Sequence, residues 1–429
     1  MQPDAHLHRR PVFARVLALL SLSLLVVACS DSTTGPSPAD EHVSASELQR
    51  LLVTDAEQPV ARVLDASSGD LLGSMPLSGP GSYVFASHSG RFGVVQQRPQ
   101  DRVQFVDGGV WTHGDHAHVS DPRMLSFDVQ EGLPTHANVN GPWMSTFFDG
   151  TGRAVWFDER DFFQSQYRIA FSVETGGPHH SGSATVLVGD TPYFVVAPLN
   201  PEGGLPRAVE VYDQSGAVVS VVPNCPVMHG NSSAGSTAVF GCNDGLVLVR
   251  PSGGSVTAQK ITPTGEMEGL GLRNAWSAPD ASVILGQFAA LPGQPTRRVL
   301  ALIDVNSGAL HPLPPLPTGV MDHWRAVEPV RNQVVLLGTD GDLYIYSGTT
   351  RQLQRVANGV VPALPQSGAT THQVAVVEGM AAVASPSTGE VVLVDLATAQ
   401  VIRRINVDGA PSRLAILGPS ADGLYELED

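Results

Sequence analysis

The chain has 429 residues, 42% of them hydrophobic and 15% charged: enough apolar material for a large core, and too little charge for a disordered acidic protein. A net charge of −16 excludes the broad basic surface that nucleic-acid binding needs, and it favours cations as ligands. Glycine (44) and proline (33) are scattered along the whole length, as in a loop-rich all-β protein.

The first segment reads as an address. MQPDAHLHRRPVFAR is basic, and residues 16–28 form an apolar run the length of a signal-peptide core, too short to span a bilayer comfortably. The run ends Val26-Val27-Ala28-Cys29, which resembles a bacterial lipobox. That likeness predicts removal of residues 1–28 and lipid on Cys29; an ordinary signal peptide with a chance cysteine is the alternative. Ser30, rather than Asp, after the cysteine points to the outer membrane by the same likeness. Residues 29–46 are polar and rich in Pro and Ser, a tether rather than a fold. Residues 47–429 then form one domain. With Cys29 lipidated, Cys225 and Cys242 remain, in a compartment that permits disulfides. They either bridge or stay as two buried thiols.

One unit recurs along the rest. A short β-rich run ends in an acidic or small residue and turns: RVLDASSG (62–69), VQFVDGG (103–109), AVWFDERD (154–161), VEVYDQSG (209–216), LVLVRPSGG (246–254), LALIDVNSG (300–308), LYIYSGTT (343–350) and VVLVDLATA (391–399). The turns fall about 47 residues apart, a spacing of four-stranded propeller blades. No long segment has a 3.6-residue period, so helix should be scarce. The reading is an all-β propeller of eight four-stranded blades, with seven as the alternative because the fifth unit is irregular. Residues 48–77 look like a blade lacking its innermost strand, and 412–429 supply such a strand, so pairing the two would close the ring.

Histidines carry the chemistry. VWTHGDHAHVSD (110–121) sets His113, His116 and His118 beside Asp115, a density of imidazole that packing rarely uses. His136, His180, His229, His323 and His372 each stand just before a strand expected to be innermost, with Asn274 and Trp276 at the corresponding place between His229 and His323. In a propeller those starts converge on the central channel. Neutral imidazole suits Zn²⁺, Cu²⁺ or Ni²⁺. HGDHAH is expected to be a mobile or semi-mobile donor arm next to this convergent cluster, with His113 and Asp115 ligating or orienting a ring. His323 and His372 are expected to be structural, and one of His179 and His180 idle. His88 and His311 read as turn and surface residues. Met228 and Met321 read as packing.

At HGDHAH (113–118), FFDGTGRAVWFDE (147–159), PHHSG (178–182), CPVMHG (225–230) and FGCNDGLVLV (240–249), in that order, the chain resembles the AztD-type periplasmic zinc metallochaperones, β-propeller partners of a zinc ABC importer's solute-binding protein. The resemblance is strong over residues 50–250 and weaker beyond. It implies Zn²⁺ binding in the periplasm and delivery to a transport-system solute-binding protein, with metal residues among His113, His116, His118, His136, His180 and His229. Two departures stand out. The family pattern has acidic residues near the CPVMHG histidine, where this chain has Val227 and Asn231. A lipid anchor is also unlike a freely diffusing chaperone. A metal-dependent hydrolase and a metal-free interaction propeller are the competing readings; no G-x-S-x-G or H-E-x-x-H motif is present to support the first.

Overall fold

The computed structural model describes residues 48–113, 116–291, 294, 296–366 and 371–419. The signal segment, Cys29 and the tether lie outside them. Eight four-stranded antiparallel sheets stand around a central channel, a β-propeller. Blade 1 combines Arg50–Asp55, Val60–Asp65 and Leu71–Pro76 with the C-terminal strand Pro411–Leu417. The other blades follow in order: 83–130, 134–174, 183–222, 231–261, 270–312, 322–357 and 374–406. No helix among the described residues is long and apolar enough to cross a membrane.

The repeated turn explains the regularity. It ends the third strand of each regular blade. Asp65 accepts from the backbone N–H groups of Ser67 and Ser68 and from the Ser67 hydroxyl. Asp304 does the same with Asn306 and Ser307, and Asp395 with Thr398. A carboxylate bonded to its own turn supplies a tight reversal without cross-strand help. The ring closes by backbone pairing of Arg50–Asp55 with Pro411–Leu417, Leu52 opposite Ala415. The blades pack face to face through apolar clusters that straddle neighbours. Leu51, Ala382, Leu393 and Leu414 join blade 8 to blade 1, and Val335, Ile345, Val383 and Val394 join blade 7 to blade 8. Aromatic rings concentrate in blades 2 to 4, where Phe171 stacks on Phe194 at 4.0 Å.

Strands alternate in direction, so each connection has a fixed side. Every innermost strand begins at one face of the ring, here the upper face, and ends at the lower. Outer-to-inner connections and second-to-third turns are at the upper face. First-to-second and third-to-fourth turns are at the lower. There, His88 of blade 2 stands 3.7 Å from Asp280 of blade 6, the blade diametrically opposite. Between the two faces runs a cavity of about 240 Å³ lined by innermost-strand residues including Asn138, Ser233, Trp276, Arg325 and Gln373.

Candidate metal centre

Three histidines meet at the upper mouth, one from each of blades 3, 4 and 5. His136 is the third residue of Pro134–Asn140, where the pairing register slips between Pro134 and Ala137. Such an irregularity re-aims a side chain that regular pleating would direct elsewhere. His180 lies in the loop entering blade 4, and His229 in the loop entering blade 5. The ring centroids are 4.8 Å apart for His136 and His180, 5.2 Å for His180 and His229, and 6.2 Å for His136 and His229.

Each outer ring is oriented by a partner. His180 Nδ1 is 2.9 Å from Asp149 Oδ2. Asp149 also receives Arg98 Nη2 at 3.0 Å and is only 8% exposed. Burial tends to raise its carboxyl, but the hydrogen bond and charge of His180, with Arg98, hold it below its ordinary value. An ionised carboxylate only accepts, so His180 carries its proton on Nδ1 and offers a lone pair at Nε2. His229 Nδ1 is 2.8 Å from the Arg273 carbonyl, which likewise fixes its Nε2 as the basic nitrogen. Gly230 permits that approach. It sits at φ +77°, and a Cβ there would lie 2.4 Å from the Arg273 oxygen. The loop is also pinned from behind. Cys225 and Cys242 form a disulfide, His229 N–H donates to Gly241 O, and Met228 N–H to Pro206 O.

His136 Nε2 faces His180 Nε2 at 3.1 Å. Burial first, then the neighbouring His180 and His229, push the His136 pKa down to about 3. The ring is therefore neutral at physiological pH. Two nitrogens bound to one tetrahedral Zn²⁺ at 2.0–2.1 Å stand about 3.3 Å apart, with ring centroids about 5 Å apart. The described geometry is near that. As placed, no three His, Cys, Asp or Glu among the described residues are drawn close enough to hold an ion. Two of the three centroid separations are near that value, and the long one is between His136 and His229, at 6.2 Å. The donor chemistry fits zinc: neutral imidazoles with carboxylate and carbonyl partners on their far nitrogens.

No family model matches the chain. Against a known protein, the zinc chaperone AztD of Citrobacter koseri, it is 26% identical over 424 residues, 95% of this chain and 94% of that one. The chain resembles AztD over nearly its whole length. The structure of apo AztD from Citrobacter koseri superposes with a TM-score of 0.75 at 22% identity, covering 87% of this chain and 98% of that one. A crystal structure of Citrobacter koseri AztD gives 0.75 at 23%, with the same coverage. A dihydro-heme d1 dehydrogenase, NirN, gives 0.52 at 14% over 88% of this chain and 77% of its own. At these identities the structures speak for the propeller fold.

The other predicted donors fall elsewhere. HGDHAH does not adjoin the His136–His180–His229 cluster, contrary to expectation. Val110–His113 and His116–Val119 form a hairpin inserted between the third and fourth strands of blade 2, hence at the lower face. Sequence proximity to His136 concealed a full strand of travel. Nor is the hairpin a loose arm at its base. His118 stacks on Trp111 at 5.0 Å, Arg91 lies 3.9 Å from the Trp111 centroid, and Arg91 pairs with Asp107 at 2.9 Å. The Arg50 guanidinium bonds the carbonyls of Gly108 and Ser120, where the hairpin joins the blade. Backbone register pairs His113 with His116. Gly114 and Asp115, and the side chains of His113 and His116, lie outside the described residues. His179 turns away from the triad, its ring nitrogens facing the carbonyls of Gly177 and Ala197. Sequence reasoning missed Asp149 as a partner of His180, although it stands in the FFDG stretch already singled out. It also missed Arg273, whose contribution is a backbone carbonyl and leaves no trace in residue type.

Proposed function

We propose that this protein is a periplasmic zinc carrier that binds Zn²⁺ through His136, His180 and His229 and hands it to a zinc transport-system solute-binding protein. The observation that carries this reading is the convergence of three imidazoles from three blades, two of them locked in the tautomer that leaves Nε2 basic. The relationship to a protein named as a zinc chaperone supports carrying rather than catalysis. The HGDHAH run of the sequence, with His113, Asp115, His116 and His118, supplies a second donor set. Three protein ligands leave one position on the ion open, which lets an incoming ligand bind before an outgoing one leaves. Cys29 holds the mature chain by lipid at the outer membrane, through a tether of residues 29–46.

The test is zinc analysis with competitive titration on the mature chain. Replacing His136, His180 and His229 by Ala is expected to remove one bound ion, and replacing His113, His116 and His118 by Ala another, each without altering the other's affinity. Wild-type protein that binds no zinc in competition with a micromolar chelator would overturn the reading. Incorporation of labelled fatty acid, lost in Cys29→Ser, tests the anchor.

A further inference from the structure

The upper mouth has a second half. Across the channel from the zinc triad, the starts of the innermost strands of blades 7, 8 and 1 bring together His323, Arg325, His372 and Arg413. His323 and His372 are 7% and 3% exposed, with their rings 5.7 Å apart and nearly perpendicular. Arg325 lies over Trp276 at 4.6 Å and Arg413 over Trp324 at 5.6 Å, so both guanidinium groups are held by aromatic faces. Arg413 Nε donates to the Ser82 carbonyl at 3.1 Å. Asp322 on this side serves two cations: it pairs with Arg325 and, at 2.6 Å, with Arg298.

Local hydrogen bonds set the histidine tautomers. The Thr371 N–H donates to His323 Nε2 at 3.3 Å, so the His323 proton is on Nδ1. The Thr371 hydroxyl is 2.8 Å from His372 Nδ1; a hydroxyl that donates there leaves the His372 hydrogen on Nε2. His372 Nε2 is buried and has no hydrogen-bond partner. A buried polar nitrogen without a partner is costly. Its surroundings say what is missing. Burial, then His323 and Arg413, push the His372 pKa down to about 4; burial, then Arg325 and Arg413, lower that of His323. The field here is positive, against the −16 of the whole chain. A metal cation is repelled by such a field, and an oxyanion is drawn by it.

We propose that His323, Arg325, His372 and Arg413 form an oxyanion-binding site for a carboxylate or phosphate group at the same mouth as the histidine triad. The anion accepts from His372 Nε2 and the guanidinium groups, above the channel wall formed by Trp276 and Trp324. This site stands independently of the zinc reading, since its four residues take no part in the triad.

The test is calorimetric titration of the mature chain, with and without zinc, using inorganic phosphate and citrate separately. Saturable binding of one of them below about 10 mM is expected, and which of the two binds identifies the group. His372→Phe keeps a ring of similar size and Arg413→Gln removes one cation; each should weaken binding at least ~10-fold, while Arg413→Lys retains part of it. His180→Ala, in the other half of the mouth, should leave anion binding unchanged. Thermal unfolding confirms that each variant is folded. No saturable binding of either anion, or binding that survives both substitutions, overturns the proposal. So does a zinc ion that is lost with His372→Phe.

Discussion

At His180 the Nδ1 hydrogen goes to Asp149, and at His229 it goes to a backbone carbonyl. These partners do more than hold the rings. They decide which nitrogen faces the neighbouring imidazole, and a carboxylate also raises the basicity of the nitrogen it leaves free. Asp149→Asn keeps the shape but can present an N–H where an acceptor is required. Zinc affinity in that variant is expected to fall about 10- to 100-fold with little loss of stability, read by competition titration beside a denaturation curve. Unchanged affinity would mean that His180 needs no such orientation. The imidazoles were legible in the sequence because their residue type advertises the chemistry. Their orienting groups were less so. Asp149 is one carboxylate among 41 acidic residues, and the Arg273 carbonyl belongs to a group every residue possesses.

At the scale of loops and strands, the approach to His229 shows how a flexible-looking segment is made firm. CPVMHG has a positive-φ residue at Val227 and another at Gly230, yet the disulfide joins Cys225 to the end of the strand Thr237–Cys242 beside it. A loop of this size closed by a disulfide contributes about 3 kcal/mol. Cys225→Ser is expected to lower stability by about that amount. It should also weaken zinc binding, because the bridge holds still the loop that presents His229. Full affinity in a destabilised variant would separate the two effects and show that the bridge serves only the fold. Blade spacing and the Asp-turn pattern could be read directly, since each repeats. The side of the ring on which an insertion emerges could also be deduced, by counting strands: HGDHAH follows a third strand, whereas His136 opens a first. That count places them at opposite ends of the channel even though 18 residues separate His118 from His136. The irregular pairing that turns His136 inward was not legible, because nothing in THANV distinguishes a slipped register from a regular one.

For the whole molecule, the buried imidazoles set a stability window. The folded His372 pKa is about 4, against 6.5 for an ordinary solvent-exposed histidine, so the unfolded chain takes up this proton first as pH falls. Its contribution to stability is complete above pH 6.5 and is lost progressively from there down to about pH 4. Urea midpoints of the metal-free protein are expected to be lower at pH 5 than at pH 7, and His372→Phe should shrink that difference. Equal midpoints in the parent protein would contradict a neutral buried ring.

Ring closure has a further consequence for the order in which the protein can be made. The edge formed by Leu51, Leu52 and Val53 is fully covered only when residues 411–417 arrive, more than 350 positions later in the chain. Until then blade 1 is three strands with an open, apolar margin, of the kind that recruits other chains. Nascent polypeptide therefore needs protection until that last strand has been made. A message truncated anywhere before that last strand yields a product destined for aggregation or proteolysis rather than a smaller working toroid.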